Sequence, residues 1–94
     1  MDFTILTYRF LLDSLQKQGF SFLRFEEYLS NTSGKTIVLR HDVDALPNNS
    51  LQFARLEAER EIRGTYYFRT VPGSFDEKII KEISGLGHEI GYHY

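Results

Sequence analysis

Thr36-Ile37-Val38-Leu39-Arg40-His41-Asp42-Val43-Asp44 is the stretch that decides the fold. Apolar β-formers run directly into two carboxylates and an imidazole. If the segment stays extended, alternation places Arg40, Asp42 and Asp44 on one face, with Ile37, Leu39 and His41 on the other. An amphipathic helical pattern follows, so the run reads as a parallel strand buried on both sides, with its polar groups at the C-terminal end. That end is where α/β sheets and barrels keep their chemistry. Two carboxylates one residue apart need a compensating positive charge, for which a metal ion is the simplest candidate. The competing reading has Asp42 and Asp44 opening a turn and capping the next helix.

Working outward, residues 4 to 18 carry Ile5, Tyr8, Leu11, Leu12 and Leu15 at steps of three and four, which predicts a helix ended by Gly19. A second short helix is expected over Leu23 to Leu29, followed by a loop at Asn31 to Gly34. Beyond the central strand, Pro47 marks a helix start. Its buried side is expected at Leu51, Ala54, Ala58 and Ile62, and its wet side at Arg55, Glu57, Glu59 and Arg60. Thr65 to Arg69 predicts a strand from its β-branched and aromatic residues. Pro72-Gly73 predicts a turn, and Ser74 with Glu77 a capping box opening a helix that carries Phe75, Ile79, Ile80 and Ile83. Gly85 and Gly87 close that helix, and His88 to His93 form a further strand. Short strands separated by helices of this length require parallel pairing.

Composition bounds the function. The chain has 94 residues, 41% apolar and 26% charged, with a net charge of -2. This fits one ordinary globular domain, burying somewhat over ~60% of the surface its unfolded chain exposes. Charges of both signs are spread along it, which offers no field for nucleic acid or an anionic membrane. Without cysteine, thiolate metal sites, disulfides and sulfur nucleophiles are excluded. No cationic n-region with an apolar h-region opens the chain and no run is long enough to span a membrane, so a cytoplasmic location is the expectation.

At the last strand, His93 shares a face with Gly91 and Glu89 and sits at the C-terminal end, as Asp42 and Asp44 do in theirs. Carboxylates and an imidazole at one sheet edge suit a divalent metal with mixed oxygen and nitrogen ligands, zinc by default. His88, at the strand entrance, and His41, on the face opposite the carboxylates, read as structural histidines. Arg40 reads as orienting Asp42, as pairing with Glu89, or as an ordinary arginine at a strand start.

Arg40-His-Asp-Val-Asp44, Thr65-Tyr-Tyr-Phe68 and Gly87-His-Glu-Ile-Gly-Tyr-His93, in this order and spacing, resemble the N-terminal part of the polysaccharide deacetylase family (NodB homology, carbohydrate esterase 4). The resemblance covers residues 36 to 94, with residues 1 to 35 as an N-terminal helical cover. It implies a partial (β/α) barrel of three parallel strands, not closed, since such a barrel takes ~200 residues or more. It also implies removal of N-acetyl groups from carbohydrate, with Asp42 as general base and Asp44 and His93 as metal ligands. The family's second histidine would fall four residues after His93, past Tyr94. Its base-steadying arginine and its acid histidine come from later strands. The chain is therefore expected to hold the first half of a site. The alternative is a non-catalytic remnant or glycan-binding module, completed by self-association or by a second chain at the open sheet edge. A phospho-acceptor domain and a helical metal phosphohydrolase fit less well: the acidic and lysine positions of the first are not in the chain, and β-formers precede His41-Asp42.

Overall fold

A computed structural model describes residues 3 to 29, 34 to 43, 47 to 70 and 76 to 93. Asp44, Leu46, the Asn31 to Ser33 part of the expected loop, the Pro72-Gly73 turn, Ser74, Phe75 and Tyr94 lie outside the described residues. The elements are α1 (Phe3–Lys17), β1 (Ser21–Leu23), α2 (Phe25–Tyr28), β2 (Thr36–Val38), β3 (Arg40–Val43), α3 (Pro47–Glu59), β4 (Thr65–Arg69), α4 (Glu77–Gly85) and β5 (Glu89–His93).

The Thr36 to Asp44 stretch is not one strand. It changes partners at Leu39: β2 pairs in parallel with β1, whereas β3 pairs in parallel with β4, which pairs with β5. The Leu39 carbonyl already accepts the Thr65 amide at 2.9 Å, so the second ladder begins where the first ends. The Leu39 side chain packs against Leu12, Leu56 and Ile62 in a small apolar cluster under α1. β1 was not foreseen, because three residues of Ser-Phe-Leu carry too little alternation to signal a strand. The result is mixed α/β, with short parallel strands in sheets of two and three and no closed barrel among the described residues.

Tyr8 and Leu12 face inward from α1, and Leu12 is fully buried, but Leu11 and Phe10 are exposed, so the inward stripe is narrower than the periodicity predicts. Gly19 ends the helix in the left-handed region at φ 89°, a conformation glycine takes without a Cβ penalty. α2 is shorter than expected and is docked by its N-terminus onto the sheet: the Phe25 amide donates to Thr65 Oγ1 at 3.0 Å and the Glu26 amide to Glu89 Oε1 at 3.0 Å.

α3 and α4 pack on each other and on one face of the three-stranded sheet. Leu51, Ala54, Ile79, Ile80 and Ile83 from the helices meet Val43, Tyr66 and Phe68 from the strands. Each fully buried aliphatic side chain of this kind contributes about 1.5–3 kcal/mol. Asp76 caps α4, its Oδ1 accepting the Ile79 amide at 3.2 Å. α3 departs from the expected pattern. Leu56 and Glu57 are buried and Ala58 is only half-buried, because the helix is covered by α1 on one flank and α4 on the other. Glu57, expected on the wet side, has no exposed surface at all. No helix among the described residues is long and apolar enough to cross a membrane.

Candidate functional site on the uncovered sheet face

Register fixes which side chains share a face. His41, Val43, Tyr66, Phe68 and Ile90 point to the helices, and alternation sends Arg40, Asp42, Thr65, Tyr67, Arg69, Glu89 and Gly91 to the other side. α2 covers only the N-terminal end of this second face, where Thr65 is buried. On this face Arg40, at the start of β3, and Asp42, two residues on, are exposed.

Asp42 lies opposite Tyr67, which lies opposite Gly91. Two strand spacings and two residues separate Asp42 from His93, roughly 12 Å between Cα atoms. His93 stands in register with Arg69. Arg40 Nε donates to Asp42 Oδ1 at 2.8 Å, and its guanidinium lies 4.3 Å from the centre of the Tyr67 ring. The hydrogen bond to Asp42 holds the Arg40 guanidinium yet more firmly protonated than usual. Glu89 is occupied elsewhere: its Oε1 accepts from Thr65 Oγ1 at 3.1 Å and from the Glu26 amide. Arg40 thus meets Asp42 and not Glu89, which instead anchors α2.

Asp42 and His93 belong to strands of one sheet, β3 and β5, with β4 between them. An oxygen and an imidazole nitrogen of this kind match zinc in donor type. Among the described residues no three His, Asp or Glu side chains gather as a metal site, and Asp44 is not one of those residues.

A second polar constellation lies under the opposite face, and the sequence reading missed it. Glu57 Oε2 accepts from Tyr8 Oη and from His41 Nε2, the latter at 2.7 Å, and Oε1 accepts from Tyr66 Oη at 2.7 Å. His41 is stacked on Tyr66 with ring centres 4.4 Å apart. Burial by itself pushes the Glu57 carboxyl up, but the hydrogen bond and charge of His41 and the hydroxyls of Tyr8 and Tyr66 outweigh it, holding the carboxyl below its usual range. Burial and the neighbouring carboxylate push both tyrosine hydroxyls well up. His88 Nδ1 accepts the Gly64 amide at 2.9 Å while Nε2 donates to the Ala54 carbonyl at 2.9 Å, which fixes the Nε2–H tautomer. Its 3.7 Å approach to Glu57 Oε1 is therefore no ion pair, since the facing nitrogen has no proton to give.

The cluster joins α1, β3, α3 and β4 through one saturated carboxylate, and its role is to hold these elements together. The signal for it was present: Glu57 follows Ala54 by one helical turn, and His41 and Tyr66 alternate toward the helices. In comparisons with known proteins, no family model, no curated protein and no solved structure matches the chain.

Proposed function

We propose that the uncovered face carries part of the site of a metal-dependent hydrolase that removes N-acetyl groups from carbohydrate, as the resemblance of residues 36 to 94 to polysaccharide deacetylases implies. One observation supports it most: Asp42 and His93 belong to parallel strands of one sheet, with Tyr67 in register with Asp42 and Arg69 in register with His93, while the helices crowd the face that carries Tyr66 and Phe68. In this reading Asp44 and His93 hold a zinc ion, which when bound supplies Lewis acidity and lowers the pKa of water. Asp42 acts as general base, accepting the proton of the water that attacks the acetyl carbonyl. Arg40 keeps the Asp42 carboxylate oriented through the contact at Oδ1.

Zinc retained after dialysis tests the reading. The wild-type chain is expected to keep bound metal, and Asp44→Ala and His93→Ala to lose it. Equal zinc in all three proteins would end the metal assignment. A second reading, glycan binding without turnover or completion by another chain, is favoured by the edge of the sheet: β5 has no strand on its far side among the described residues. Binding of acetylated chitooligosaccharides with no release of acetate supports that alternative.

A further inference from the structure

We propose that Tyr67 is a positioning residue for Asp42: laid across Gly91 and stacked on Arg40, its ring fixes the guanidinium on the carboxylate. The inference rests on reading Asp42 as the base. Its geometry spans all three strands of the sheet.

An arginine and an aspartate two residues apart on an exposed strand face make a loose contact, because both side chains are mobile in water and the charges are screened. Here both are about half exposed, yet Arg40 Nε sits 2.8 Å from Asp42 Oδ1. What restricts the arginine is the Tyr67 ring, whose centre is 4.3 Å from the guanidinium carbon. With its guanidinium carbon over the ring, Arg40 still donates from Nε to the Asp42 carboxylate.

The ring in turn is set by an absence of side chain. A Cβ added to Gly91 would stand 2.5 Å from Tyr67 Cε1 and 2.6 Å from Cδ1, so the ring occupies the space any other residue would fill. The φ of Gly91 is not in the left-handed region, so glycine is needed there for room and not for backbone conformation. Glu89, the other carboxylate on this face close to β4, is held by Thr65 and Glu26 and does not compete for Arg40. Gly91, Tyr67, Arg40 and Asp42 thus form one lateral chain across β5, β4 and β3. It engages Oδ1 of Asp42.

The test is nuclear magnetic resonance of the full chain, reading the Arg40 Nε–Hε signal, the Arg40 Hδ shifts and the Asp42 Cγ shift. Wild type and Tyr67→Phe are expected to show the Arg40 protons moved upfield by the ring. Tyr67→Leu, which keeps bulk without a π face, and Gly91→Ala, which lifts the ring, are expected to lose that upfield shift. Both are also expected to move Asp42 Cγ toward its value in Arg40→Gln, with backbone amides remote from the face unchanged. Arg40 and Asp42 signals unaltered in Tyr67→Leu and Gly91→Ala would overturn the proposal. A chain that binds no zinc but shows these shifts would defeat the deacetylase reading and leave the positioning contact standing.

Discussion

Replacing Glu57 by alanine should be among the most damaging single changes in this chain. The carboxylate is wholly buried and takes hydrogen bonds from Tyr8, His41 and Tyr66. Its removal strands three donors from three elements. Each unsatisfied buried group costs about 1–3 kcal/mol, and breaking a buried charge-assisted contact costs about 3–5 kcal/mol in total. A domain of this length has a total stability of about 5–14 kcal/mol, so the loss is about a fifth of it or more. With a urea slope of about 1–1.5 kcal/mol/M, the midpoint falls by roughly 2–5 M, measured by circular dichroism.

Glu57→Gln keeps the volume, and the histidine can change tautomer to accept from the new amide, so its cost should be nearer about 1–3 kcal/mol. Tyr66→Phe should cost about 1–2 kcal/mol in the wild-type chain and close to nothing in a Glu57→Ala background, as expected of coupled partners. A Glu57→Ala penalty below about 1 kcal/mol would refute the view that this carboxylate ties the elements together. The pH dependence carries the same signature. Because the folded Glu57 carboxyl is held below its unfolded value, its contribution is present above about pH 4.5. It is lost as the pH falls through the depressed folded value, and Glu57→Gln should flatten that acid limb.

The alkaline side should differ in sign. The Tyr8 and Tyr66 hydroxyls are raised in the folded chain, so the unfolded state loses these protons first, and stability should fall by about 2.8 kcal/mol per pH unit above pH 10, a slope that Tyr66→Phe halves in urea titrations. Ile83, fully buried between α4 and the sheet, should cost about 2–5 kcal/mol as Ile83→Ala, read as a lower thermal midpoint. Asp76→Ala should cost about 1 kcal/mol by freeing the Ile79 amide, with hydrogen exchange accelerating first in the opening turn of α4.

Much of this architecture was legible from residue patterns. β4 falls on Thr65–Arg69 as its aromatic and β-branched run implied, and the alternation of Arg40 and Asp42 against His41 puts them on opposite faces as period two requires. The break at Leu39 was not legible, because it depends on which neighbouring strand supplies each hydrogen bond. Glu57 was misplaced for a related reason. Charge at a helical position reads as solvent-facing until three partners from distant elements converge on it, and convergence is a tertiary property. On the candidate site, the face of Asp42 followed from alternation, but the ring of Tyr67 across Gly91 did not. It depends on the register between β4 and β5.

The claim that metal chemistry belongs to the open face is tested most directly by adding zinc to the labelled chain and mapping amide shifts. The account predicts the largest changes at Asp42, Asp44, Gly91 and His93, with the amides of Glu57 and His88 left in place. Changes centred on His41, Glu57 and His88, or none anywhere, would contradict it.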